Sequence, residues 1–68
     1  MTLDNAQCTR LYDEFDFEDY ETIVLATIDD DNCVHVDYVD ERDNSIGHYH
    51  SSPISDERVG YILFGKKY

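Results

Sequence analysis

Two β-branched runs on either side of a short acidic turn constrain this chain more than any other feature. ETIVLATI (residues 21–28) and CVHVDYV (33–39) flank Asp29-Asp30-Asp31-Asn32. Runs of that length, rich in Val, Ile and Thr and bounded by an Asp/Asn cluster, read as an antiparallel hairpin. Side chains alternate between the two faces of a strand, so the turn's register decides which of them are buried. A turn on Asp30-Asp31 places Ile23, Leu25 and Thr27 on one face with Val34, Val36 and Tyr38, and Tyr49 joins them if the next loop is even in length. Val24, Ala26, Cys33, His35, Asp37, His48 and His50 then share the opposite, mixed face.

The rest of the chain is read around this hairpin. Cys8, Leu11, Tyr12 and Phe15 recur at i, i+3, i+4 and i+7, the apolar stripe of a helix. Asp4 is placed to cap it, with Gln7 three residues on completing a capping box, and the stripe fades near Asp16. After a polar loop at Glu41–Asn44, SIGHYHS reads as a third strand. SSPISDE holds the only proline and reads as a loop, and RVGYILFG reads as a fourth strand ended by Gly65 and a basic tail at Lys66 and Lys67. The expected fold is α+β: an N-terminal helix packed on a small, mainly antiparallel sheet of three to four strands, one domain over residues 1–68.

Charge narrows the function. Sixteen acids against five bases give a net charge of −11 over 68 residues. Direct binding to DNA or RNA requires clustered Lys and Arg that displace counterions, and an anionic membrane makes the same demand. Both are excluded, and a basic protein surface becomes the natural partner, with a homodimer also open. No segment of MTLDNAQCTR has the apolar run of a signal peptide, and no stretch reaches transmembrane length. Cys8 and Cys33 are isolated thiols, so a reduced, cytoplasmic protein is expected.

Several constellations invite chemistry. Cys33, His35, His48 and His50, with Asp37 nearby, are residue types that zinc accepts, but their spacing matches no zinc pattern. They form the alternative reading, a small metal-binding or regulatory module. Asp29-Asp30-Asp31 fails as a calcium loop, because the sixth position is Val34 and the twelfth Asp40 where Gly and Glu belong. Cys33 and His35 have the composition of a nucleophile–base pair, yet on a strand they lie about 6.6 Å apart along the chain. A chain this small also has little room to wrap a substrate pocket, which usually needs about 300 Å³ or more. No enzyme is expected, and no cofactor.

What remains is the distribution of the acids. DEFDFEDYE (13–21) packs six carboxylates into nine positions with Phe15, Phe17 and Tyr20 among them. Halophilic adaptation would spread acids evenly, and a merely solvated surface would not interleave large aromatics with them. Alternate carboxylates on an extended segment stand about 6.6 Å apart, of the order of the spacing of phosphates along a nucleic-acid strand. Asp13, Glu14, Asp16, Glu18, Asp19 and Glu21 are the expected phosphate surrogates, with Phe17 and Tyr20 as aromatic anchors and Asp29, Asp30 and Asp31 in support.

In size, charge and α+β make-up the whole chain resembles the small acidic DNA-mimic inhibitors made by phages: anti-restriction proteins, anti-CRISPR proteins and uracil-DNA glycosylase inhibitors. Toxin-neutralising immunity proteins are similar in the same respects. The resemblance rests on no shared motif, so it carries over no functional residue. It implies a non-enzymatic inhibitor or decoy that binds the basic nucleic-acid-binding surface of a target protein, an anti-defence role in the phage case.

Overall fold

The structure is a computed structural model that describes residues 1–65. In chain order it contains helix α1 (Asn5–Glu14), strands β1 (Glu21–Ile28), β2 (Val34–Asp40) and β3 (Ser45–His50), and helix α2 (Asp56–Phe64). The strands form one antiparallel sheet in the order β1-β2-β3. This is the expected α+β class, with a C-terminal helix in place of a fourth strand.

α1 begins as its sequence specifies. The Asp4 carboxylate accepts the Gln7 amide N–H at 2.9 Å, and the Gln7 side chain accepts the Asp4 N–H at 2.9 Å. Leu11, in the middle of the stripe, is fully buried. The helix ends at Glu14 because Phe15 turns extended.

RVGYILFG is the one element misread as a strand. Ser55 accepts the Arg58 N–H, while Asp56 and Glu57 occupy the first turn, where the helix dipole favours negative charge. Gly65 closes the other end in a left-handed conformation (φ 74°), donating its N–H to the Tyr61 carbonyl. Val59, Ile62 and Leu63 then fall at i, i+3 and i+4 and pack in the core. The two helices lie antiparallel and cap each other. Arg10 and Gln7 of α1 donate to the Ile62 and Leu63 carbonyls of α2 at 2.9 and 3.2 Å. Arg58 of α2 donates to both the Glu14 carbonyl (3.0 Å) and the Glu14 carboxylate (3.1 Å) of α1.

The sheet corrects the expected faces. Asp29 donates its N–H to the Cys33 carbonyl and Ile28 pairs with Val34, so three residues bridge the strands rather than two. Asn32 supplies the left-handed step (φ 63°) that such a connection needs. The odd count turns Ala26 and Ile28, not Leu25 and Thr27, onto the buried face with Val34 and Val36; Leu25 is 48% exposed. A β-bulge at Val24 then restores the expected pairing of Ile23 with Tyr38. Leu3, Leu11, Ala26, Ile28, Val34, Val36, Ile54 and Ile62 form the core between the sheet and the helices. Among the described residues no helix is long and apolar enough to cross a membrane.

Candidate acidic binding surface

The alternation in DEFDFEDYE follows from the backbone beyond α1. Extended from Phe15 onward, the chain sends odd and even side chains to opposite sides. Phe15 and Phe17 turn inward, while Asp16, Glu18 and Asp19 are exposed. Phe17 makes edge-on contacts with Tyr12, Tyr49 and Tyr38 at centroid distances of 5.6, 6.0 and 6.2 Å, and Phe15 meets Tyr49 at 5.5 Å. Each edge-to-face pair adds about 0.5–1.5 kcal/mol beyond its buried area. The aromatics therefore anchor the acidic segment to its own sheet. Phe17 is spent on this internal cluster, and one face of Tyr20 is covered by the Arg42 guanidinium 3.7 Å from the ring centroid.

The segment is also tied by its own carboxylates. Glu21 accepts the Glu18 N–H at 2.8 Å and donates its N–H to the Glu18 carbonyl at 2.9 Å, closing a turn. Antiparallel pairing sets this turn beside the β2–β3 connection: Glu21 opposes Asp40, and Glu41 donates its N–H to the Tyr20 carbonyl at 2.8 Å. Thr22 donates its hydroxyl to the Glu41 carboxylate at 2.8 Å. Two acid blocks far apart in sequence thus meet at one end of the sheet, so Glu41 and Asp43 join Glu18 and Asp19. Sequence reasoning left the acids of 37–43 out of the site. The strand register, which pairs residue 21 with residue 40, is the signal that could have added them.

Of the other candidate acids, Glu14, Asp13 and Asp29 are employed structurally. Glu14 is ion-paired with Arg58 and its side chain is only 17% exposed. Asp13 accepts the Tyr61 hydroxyl at 2.6 Å, which holds the phenol above its ordinary value. Asp29 organises the β1–β2 turn, accepting the N–H groups of Asp31 and Cys33 and pairing with His35 Nε2 at 2.8 Å. The His35 hydrogen bond, then that of the Cys33 N–H, holds its carboxyl below the usual range. Asp30 and Asp31 are exposed at the turn's tip. Asp40 is lowered chiefly by Arg42, which grips it at 2.7 Å, and Asp43 by Ser45, whose N–H it accepts.

The His-bearing face is paired off in a similar way. His35 stacks on His50 with ring centroids 4.3 Å apart, and His48 Nδ1 meets Asp37 at 2.6 Å. Among the described residues no three His, Cys, Asp or Glu side chains are grouped to hold a metal ion. Cys8 and Cys33 are both free thiols. Burial, then Asp29 and Asp31, raises the Cys33 thiol, the reverse of what a nucleophile needs. His35 is bonded to Asp29. One cleft of about 300 Å³, lined by Glu14, Phe15, Asp16, Phe17 and Tyr49, borders the acidic segment.

The cations have the opposite disposition. Arg10 caps α2, Arg58 caps α1, Arg42 holds Asp40, and the N-terminal ammonium donates to the Ile28 carbonyl at 2.9 Å. Every described arginine is thus committed within the chain, whereas Asp16 and Asp19 have no side-chain partner among the described residues.

Comparison with known proteins returns no match: no protein-family model fits the chain, no curated protein is similar to it, and no solved structure shares a significant likeness.

Proposed function

We propose that this chain is a non-enzymatic binding protein that occupies the basic, nucleic-acid-binding surface of another protein in place of the nucleic acid. One observation carries the reading: the described arginines are consumed internally while Asp16, Glu18 and Asp19 stand exposed on a segment pinned by Phe15 and Phe17. Such a surface presents fixed negative charge without having to order a flexible tail, which keeps the entropic cost of association low. Unlike charge on the target's groove speeds encounter and sets orientation. Glu41 and Asp43, exposed although each accepts one internal hydrogen bond, extend the row. Glu14 and Asp29, held by internal bonds, support the fold rather than the contact, and Phe17 acts from inside by stiffening the segment.

The test starts with affinity capture from the native host, followed by competition. The captured partner should bind less tightly as salt rises, and duplex DNA or RNA should displace the chain. Asp16→Asn, Glu18→Gln and Asp19→Asn combined keep shape and remove charge. Binding should weaken on the order of tenfold, since exposed charge pairs contribute about 0.2–1 kcal/mol each. Asp30→Asn with Asp31→Asn is the control; Asp29 is unsuitable because its removal would open the turn. A triple variant that binds like the parent, with nucleic acid unable to compete, would falsify the proposal.

A further inference from the structure

The two edges of the sheet are finished differently. At β1, the outward-facing backbone groups have partners: Ile28 donates its N–H to the Met1 carbonyl at 3.0 Å, Ala26 accepts the Leu3 N–H at 2.9 Å, and Ile23 donates to the Tyr12 hydroxyl at 2.8 Å. The bulge at Val24 twists the same edge. At β3 no such cover exists among the described residues. Ser51 donates its N–H to the Val34 carbonyl. The alternation of an antiparallel ladder therefore turns Tyr49, Gly47 and Ser45 toward β2 and leaves the N–H and C=O groups of Ile46, His48 and His50 pointing outward.

The open edge is also the least acidic part of the molecule. From Asn44 to Ser55 the sequence NSIGHYHSSPIS has no carboxylate, the longest such run in a chain of net charge −11. Neither lysine nor proline lies within the strand to block pairing. Ile46 is 59% exposed on one face and Tyr49 37% on the other.

We propose that β3 pairs antiparallel with β3 of a second copy, joining the two sheets into one of six strands about a two-fold axis at His48. The antiparallel direction follows from charge. It sets the acidic Asp40–Asp43 turn of each copy beside the acid-free Ser51–Ser55 segment of the other, whereas a parallel pair would set the two acidic turns together. The register follows from parity and from Asn44, whose left-handed backbone (φ 58°) ends the strand. Only pairing of His48 with His48, and of Ile46 with His50, gives three hydrogen-bonded pairs without recruiting Asn44. Gly47 of one copy then faces Tyr49 of the other, and the space beside Gly47 on that face is already filled by the ring of Tyr38 of its own chain.

The dimer and the binding function respond oppositely to salt, so one can fail without the other. Two copies of charge −11 repel, and screening should raise the dimer fraction. Light scattering or sedimentation at high micromolar concentration should give twice the 8.0 kDa of one chain, increasingly so with added salt. His48→Pro removes an outward N–H that β2 does not use, so circular dichroism should be retained while the mass falls to the monomer. Ile46→Lys, which charges the edge without touching the backbone, should do the same. In a Cys8→Ser, Cys33→Ser background, His48→Cys should cross-link across the axis on oxidation, because opposed residues of a hydrogen-bonded pair have Cα atoms about 5.5 Å apart. Ile46→Cys, which is offset from its own copy, should not. A monomer at every salt concentration, or equal cross-linking by both cysteines, overturns the proposal.

Discussion

Both ends of the sheet carry acids, three at Asp29–Asp31 and seven in Asp16–Glu21 and Asp40–Asp43 together, and they are ordered by different means. At the β1–β2 end, Asp29 accepts two turn N–H groups and a histidine, and Asn32 bridges to Ile54 and Asp56 at the start of α2. At the other end, where the α1–β1 segment meets the β2–β3 turn, aromatics from beneath and backbone pairing add to the order that Glu21, Asp40 and Asp43 supply by accepting turn N–H groups. Exposed acids such as Asp16 and Asp19 are left over. An acid's role is therefore read from which backbone N–H groups lie within its reach, and a count of carboxylates is blind to that.

Asparagine offers the strongest way to break the comparison, because each turn has one in the left-handed region. Asn32→Ala should destabilise by about 2 kcal/mol, combining the left-handed penalty of about 1–2 kcal/mol with lost hydrogen bonds. Asn44→Ala, with only the conformational penalty, should cost about 1 kcal/mol. Glycine separates the two contributions. Asn44→Gly should be neutral or slightly stabilising, and Asn32→Gly should still lose about 1 kcal/mol of bonding. Urea denaturation measures all four, and equal losses at the two turns would erase the distinction.

A smaller effect is visible in acid. The Asp29 carboxyl is lowered in the folded state from an ordinary value of 3.8. Its contribution is therefore present in full above that value and is lost as pH falls through the lowered folded one. The stability difference between the parent and Asp29→Asn should thus be constant near neutrality and shrink below about pH 4. A difference for Asp29→Asn that stays flat down to pH 2 would remove Asp29 from its organising role.

Arg42 sharpens the contrast with the least effect on the fold. Its side chain is 63% exposed and grips an Asp40 side chain that is 16% exposed, and a pair open to solvent on one side is worth little. Arg42→Gln should leave the melting midpoint nearly unchanged. It should also make the far end more negative, tightening binding to the captured basic partner. Weaker binding would mean that Arg42 itself touches the target.

Much of this was legible in the sequence. The α1 cap and the three strands follow from local patterns, whereas the pairing of Ile23 with Tyr38 is expected from a two-residue turn and is met only because the bulge at Val24 offsets the extra turn residue. The buried face near the turn does not follow from such patterns, because Asp29–Cys33 accepts a two- or a three-residue connection equally well, and one residue reverses the face. α2 was obscured by a short run whose β-branched residues also suit a strand, although Ser55 and Gly65 marked its ends. At the candidate site the in-out alternation of acids and aromatics could be read directly. What the aromatics face could not, since Tyr12, Tyr38 and Tyr49 arrive from three separate elements.

The bulge at Val24 has a consequence for how the chain can change in length. Val24 is the residue of β1 left out of the ladder, and it is 57% exposed. Deleting it would bring Ile23 and Leu25 together against Tyr38 and Asp37, which are already neighbours, and every existing cross-strand pair would survive. A deletion at Ala26 or Thr27 would instead drag half the strand to the wrong face. Val24 is thus the position within β1 where this fold can gain or lose a residue without being rebuilt, and descendants of the same ancestor should differ in length there first.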